Sequence, residues 1–248
     1  MMRMSGIRKT YPTRAGQVAA LRDANLEVRR GEFAVMVGRS GAGKSTLLGV
    51  LGGLIRPTAG GVFFEGVSLW DLDERSRAQL RARETGLVMQ SAPALRTLTA
   101  RENVELAAWF ANHSEQRTAG GGCASNVAAD RAAELLERLG LAEKAGRFPW
   151  QLSGGEKRRL AIAGALVNRP SLVLADEPTA DLDQEAEAAA LEIFREASSG
   201  GAAVLLVTHN RELARLADRV LVLEDGEVAE QAKVRSAPKQ VRSAPVRA

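Results

Sequence analysis

The chain has 248 residues, 45% of them hydrophobic, which is enough to bury the core of one large α/β domain or two small ones. Its longest nearly unbroken apolar run, Leu47 to Ile55, falls short of the ~18 to 20 residues that span a bilayer, the opening MMRMSGIRKTYP lacks the apolar stretch of a secretory signal, and one cysteine, Cys123, excludes an internal disulfide, so a reducing cytoplasm is expected. The net charge of +4 resides in the tail: residues 231–248 carry Lys233, Arg235, Lys239, Arg242 and Arg247 and no acid, leaving the body with 29 bases against 30 acids, which argues against nucleic acid as a partner.

Along residues 1–230, short β-type runs alternate with helical stretches, the pattern of an α/β domain. Phe33 to Val37 is a continuous apolar run of the buried-strand kind. It leads into Gly38-Arg39-Ser40-Gly41-Ala42-Gly43-Lys44-Ser45, followed by Thr46, a full match to G-x-x-x-x-G-K-[ST]. Glycines let the backbone curl so that successive N–H groups point inward, and a following helix, expected over Lys44 to Leu54, adds its positive end. The result is a cradle for phosphate oxygens in which Lys44 supplies a point charge and Ser45 a ligand for Mg²⁺.

The middle of the chain reads as helical. Thr99 and Glu102 form a capping box for a helix through Phe110, and Ala128 to Leu139 reads as a second helix stopped by Gly140. Between them Asn112 to Asn126, rich in Gly, Ser and Thr, is expected to be a flexible surface loop. Its His113 and Cys123 offer too few ligands for a metal and are read as bystanders.

Leu152-Ser153-Gly154-Gly155-Glu156 opens a further helix through Val167. Ser153 and Glu156 alone would make a capping box. Two glycines in a first turn weaken a helix, however, unless something must approach its backbone closely. Exposed N–H groups and a serine hydroxyl there suit a phosphate, yet the Lys44 loop is already one complete cradle. The second cradle therefore serves another nucleotide, which places two chains head to tail with each nucleotide between them.

Leu172 to Ala175 is a buried strand ending in Asp176 and Glu177, which supply a metal carboxylate and a general base. Ala203 to Val207 is another such strand, and His209 follows it where a side chain can reach a γ-phosphate beside Glu177. Beyond residue 230 the repeated Val-Arg-Ser-Ala-Pro reads as a disordered extension, with weak contact to anionic lipid head groups as the alternative.

With these motifs together, residues 3 to 230 resemble the ATP-binding subunits of ABC transporters. The resemblance implies a P-loop NTPase fold with a RecA-like parallel sheet core, an antiparallel β subdomain and a helical subdomain over about residues 91–165. It also implies that Tyr11 stacks on adenine, that Gln90 senses Mg²⁺ and couples to a membrane subunit, and that Asp183 lies in a dimer-contact loop. The catalytic set is then Lys44, Glu177 and His209, the metal set Ser45, Gln90 and Asp176, and the cofactors ATP and Mg²⁺. Leu51-Gly-Gly-Leu54, Leu98 to Val104 and Ala175 to Thr179 are most similar to the lipoprotein-release and macrolide-export ATPases.

On that resemblance the chain powers separate transmembrane permease subunits, for export or lipoprotein extraction, as a homodimer on the inner face of the cell membrane. The alternative is an ATP-driven switch on a membrane regulator, as in cell-division complexes. A soluble ATPase of translation or DNA repair is disfavoured because the chain has no second such domain, coiled coil or zinc motif. Glu156 stands where the family more often has glutamine, Asp181 where it has asparagine, and Gly164 where it has arginine. Ser91 to Arg96 and the 112–126 loop also depart from the family pattern.

Overall fold

The computed structural model describes residues 2–14, 16–90, 94–113 and 124–231. Ser91 to Pro93, residues 114–123 with Cys123 among them, and the basic tail from residue 232 lie outside the described residues. The loop expected over Asn112 to Asn126 is shorter than that, since helix reaches His113 on one side and begins at Ala124 on the other. In chain order the elements are β1 (Met2–Thr13), β2 (Gly16–Val28), β3 (Phe33–Val37), α1 (Lys44–Leu51), β4 (Ala59–Phe64), β5 (Val67–Ser68), α2 (Glu74–Glu84), β6 (Thr85–Val88), α3 (Ala100–His113), α4 (Ala124–Arg138), α5 (Gly154–Leu166), β7 (Leu172–Asp176), α6 (Gln184–Ser199), β8 (Ala203–Thr208), β9 (Arg219–Glu224) and β10 (Glu227–Gln231).

The strands form two sheets. One has the order β10-β9-β3-β8-β7-β6 and is parallel apart from β10, and the other is antiparallel with the order β2-β1-β4-β5. Strands β3, β7 and β8 are buried along their whole length because both faces of their sheet are covered. Phe33, Val35 and Val37 pack with helices α3 to α6, while the alternate residues Ala34 and Met36 pack with α1 and the antiparallel sheet. The period of two along a strand thus separates two cores on either side of one sheet.

Two helix starts follow the sequence reading closely. Before α3, Glu102 Oε2 accepts from the Thr99 N–H at 2.7 Å and Thr99 Oγ1 accepts from the Glu102 N–H at 3.3 Å. Before α5, Glu156 Oε2 accepts from the Ser153 N–H at 2.8 Å and Ser153 Oγ accepts from the Glu156 N–H at 3.2 Å. Helix α1 is shorter than expected, ending at Leu51 and not Leu54. Gly53 adopts φ 64°, and the N–H groups of Leu54 and Ile55 both return to the Gly49 carbonyl, which closes the helix in a left-handed turn. No helix among the described residues is long and apolar enough to cross a membrane.

Candidate functional site: a phosphate cradle at three strand ends

Parallel pairing brings the carboxyl ends of β3, β8 and β7 side by side, with Val37 opposite Thr208 and Asp176 opposite Val207. Each strand hands over at that edge to a segment the sequence singles out: Gly38 to Thr46 after β3, Glu177 after β7 and His209 after β8. Ligand chemistry in open α/β sheets gathers at such an edge.

The loop between β3 and α1 is shaped from both sides. A Cβ on Gly38 would lie 2.6 Å from the Leu223 carbonyl oxygen, and one on Gly43, at φ 100°, would lie 2.3 Å from the Ala20 carbonyl oxygen. These two glycines seat the loop against β9 and β2. Gly41, at φ 80°, would meet nothing within 4 Å and belongs to the open side. Lys44 Nζ donates to the carbonyls of Gly38 at 2.9 Å and Arg39 at 3.0 Å, so its ammonium lies inside the loop's curl. Arg39 and Ser40 are exposed and Ala42 packs partly into the core beneath.

Ser45 Oγ donates to Asp176 Oδ2 at 2.5 Å, joining the start of α1 to the end of β7. Asp176 is 2% exposed, and among the described residues it has no ion pair. A buried carboxylate without a counter-charge is costly, and hard oxygen donors beside a phosphate cradle fit Mg²⁺.

Glu177 has φ 48°, unusual for a non-glycine residue, and both of its oxygens are held. Thr208 Oγ1 donates to Oε2 at 2.8 Å, and Oε1 accepts from the His209 N–H at 2.9 Å and faces His209 Nδ1 at 2.8 Å. Against an ionised carboxylate, which only accepts, Nδ1 would be the ring nitrogen that carries the hydrogen. The Glu177 side chain is 14% exposed and that of His209 74%, so the pair joins a shielded carboxylate to an open ring.

Tyr11, on β1, places its hydroxyl 3.5 Å from Thr46 Oγ1, and Lys9 Nζ sits 5.0 Å from its ring centre. The hydroxyl edge of the ring therefore reaches the start of α1, with the Lys9 ammonium over one face. Gln90, just past β6, is exposed and lines a groove of about 1,100 Å³ between the parallel sheet and the helical part, together with Met89, Phe110, Trp150 and Lys157. A Cβ on Gly154 would meet nothing within 4 Å, so α5 is open on that side of its first turn. Glu156 is committed to the cap and to an ion pair with Lys144, which holds its carboxyl below the usual range, with the Ser153 N–H adding to the effect. Asp183 caps α6 by accepting from the Ala186 N–H at 2.8 Å.

Within this chain Ser153 to Glu156 and Asp183 stand apart from the Lys44 loop as separate caps, while Lys44, Ser45, Asp176, Glu177 and His209 converge. Sequence reasoning missed Thr208, whose hydroxyl is a direct partner of Glu177 and whose position next to His209 was the available signal. It also missed Arg158, whose Nη1 donates to the Glu177 carbonyl at 2.9 Å and which the run Lys157-Arg158-Arg159 did not distinguish from a solvated face.

A family model described as ABC transporter matches residues 21–180. The lipoprotein-releasing system ATP-binding protein LolD of Maricaulis maris is 44% identical over 91% of this chain and 95% of that protein. The pyoverdine export ATP-binding/permease protein PvdT of Pseudomonas fluorescens is 42% identical over 91% of this chain, which spans 33% of that longer protein. Among solved structures, the dimeric bacterial ABC transporter cassette MJ0796 is 36% identical with a TM-score of 0.86, covering 96% of this chain and 100% of that one. The same cassette in a post-hydrolysis state bound to ADP and Pi gives 0.85. The chain thus belongs to the ABC transporter family, as an ATP-hydrolysing ATP-binding subunit with the P-loop ABC fold.

Proposed function

We propose that two copies of this chain close head to tail on ATP and use its hydrolysis to drive a separate transmembrane permease from the cytoplasmic face of the membrane. The observation that carries the reading is the meeting of Lys44, Ser45, Asp176, Glu177 and His209 at the ends of three adjacent strands.

In this reading the loop from Gly38 to Thr46, including Arg39, Ser40, Gly41, Ala42 and Gly43, wraps the phosphates with backbone N–H groups, and Lys44 exchanges its two carbonyl partners for phosphate oxygens. Tyr11 stacks on adenine. Ser45, Asp176 and Gln90 would hold Mg²⁺, which when bound neutralises phosphate charge. Glu177 accepts a proton from the attacking water, and Thr208 and the His209 N–H keep its carboxylate oriented for that task. The open ring edge of His209 reaches toward the γ-phosphate. Ser153, Gly154, Gly155 and Glu156 present the capped start of α5 to the nucleotide of the other copy, with Asp183 at the contact between copies.

The groove beside Gln90 is the docking place for the permease. Similarity to the lipoprotein-releasing and pyoverdine-export proteins supports export or lipoprotein extraction as the work performed.

Glu177→Gln tests the assignment. The amide keeps size and position, so ATP still binds and closes the dimer, while hydrolysis falls by roughly 10²- to 10⁴-fold for loss of a general base. Asp176→Asn weakens Mg²⁺ binding and gives no stable ATP-loaded dimer. Size-exclusion chromatography with Mg²⁺ and ATP, alongside phosphate release, separates the two. Near-parental hydrolysis by Glu177→Gln, or a monomer where Asp176→Asn dimerises, refutes the roles.

A further inference from the structure

Helix α5 meets the turn after β7 at two points. Arg158, one helical turn into α5, donates from Nη1 to the Glu177 carbonyl at 2.9 Å, and its Nη2 lies 3.8 Å from Asp181 Oδ2. Gly155, three residues earlier, gives the turn room: a Cβ there would lie 3.1 Å from the Asp181 carbonyl oxygen.

The turn needs such support. Glu177 at φ 48° and Asp181 at φ 64° are both non-glycine residues in the left-handed region. Conformations of that kind persist only where the surroundings over-determine them. The turn's own bonds are long, with the Ala180 N–H 3.2 Å from the Glu177 carbonyl and the Leu182 N–H 3.3 Å from the Thr179 carbonyl. The Arg158 side chain is 14% exposed, so its charged donor acts on the Glu177 carbonyl in a largely desolvated place, where such a bond is strong. Asp181, whose side chain is 82% exposed, adds little as an ion-pair partner.

We propose that Arg158 is a positioning residue for ATP hydrolysis, one that holds the backbone of Glu177 in its left-handed conformation and so aims the carboxylate from outside the nucleotide site. The direction of the Cα–Cβ bond follows from φ and ψ. Without Arg158 the Glu177 carbonyl keeps, among the described residues, only the Ala180 N–H at 3.2 Å, and the turn relaxes about a Glu177 N–H that stays bonded to the Val207 carbonyl at 2.8 Å, so that the carboxylate swings away from Thr208 and His209. The inference rests on the reading of Glu177 as the base.

The test is Arg158→Met, which keeps the apolar stem and removes every donor, compared with Arg158→Lys, which keeps one charged donor group. Amide exchange at Ala180 and Leu182 is measured in the nucleotide-free chain, and kcat and KM for ATP are measured separately. For Arg158→Met, exchange at both amides rises about tenfold, kcat falls by about 10- to 100-fold for a misplaced group, and KM stays within about threefold. Arg158→Lys recovers part of kcat and part of the protection.

Faster exchange with unchanged kcat, a lower kcat with unchanged exchange, or a loss confined to KM each overturns the proposal. If Arg158→Met does not fold, Arg158→Lys is judged by the same paired change. Substantial hydrolysis by Glu177→Gln would remove the base assignment instead, and the exchange data would still decide whether Arg158 holds the turn.

Discussion

Gly43→Ala has a cost that can be worked out from the loop itself. The residue sits at φ 100°, and the new Cβ would lie 2.3 Å from the Ala20 carbonyl oxygen. An L side chain in a left-handed conformation costs about 1–2 kcal/mol. Forcing a methyl group into filled space costs a further 1–3 kcal/mol or so. The β2 backbone has little room to yield, because Gly226 presses on Ala20 from elsewhere, where a Cβ would come 3.0 Å from the same carbonyl oxygen, and the Arg22 N–H is bonded to the Gly226 carbonyl at 3.0 Å. Together the two effects come to about 2–5 kcal/mol, or a melting temperature lower by about 4–20 °C for a chain of this size. Gly41→Ala is the internal control, since φ 80° imposes the strain but no atom lies within 4 Å of the new Cβ. It should lose only about 2–8 °C. Thermal melting without nucleotide measures both. A Gly43→Ala protein that melts within 2 °C of the parent, or no lower than Gly41→Ala, would refute the claim that the loop is seated by close backbone contact, taking about 1 kcal/mol as the resolvable difference.

Tyr11→Ala should raise the apparent KM for ATP by about 5- to 150-fold, from about 1–3 kcal/mol of lost base stacking, with kcat at saturating ATP within about threefold. A fall in kcat at unchanged KM would move Tyr11 to another role. Stability should also decline in acid. Lys144 and then the Ser153 N–H hold the Glu156 carboxyl below its ordinary range, and Arg138 does the same for Glu196. Folded-state values below the unfolded ones mean that the unfolded chain binds more protons as pH falls, so this stabilisation is present above about pH 4.3 and is lost on titrating below it. Melting followed from pH 6 to pH 3 should show the drop, and Glu156→Gln should make it shallower; an unchanged slope would rule Glu156 out as a contributor.

The sequence by itself determined the local patterns of single segments. The Gly38–Ser45 spacing, the carboxylates ending an apolar run at Asp176 and Glu177, the histidine after Val204 to Val207, and the caps at Thr99 and Ser153 are local patterns whose meaning lies within a few residues. Helices α1, α3, α4 and α5 were legible for the same reason, whereas α2 and α6 were not singled out, and the end of α1 was missed because a glycine pair after an apolar run reads equally as helix or as turn. The resemblance of the whole motif set supplied the antiparallel sheet, which the polar runs of β1 and β2 did not announce. Only the tertiary structure decided which functions the glycines serve. Gly38 and Gly43 meet carbonyls of Leu223 and Ala20, residues distant in the chain, and no local pattern encodes such a contact. Glu156, already legible as a cap residue, gained an ion pair only because the fold places Lys144 beside it. Thr208 and Arg158 meet Glu177 because strand pairing and the packing of α5 bring together residues 31 and 19 positions apart. Hydrogen-bond partners follow from distance in space, and the fold sets that distance after the local patterns have been satisfied.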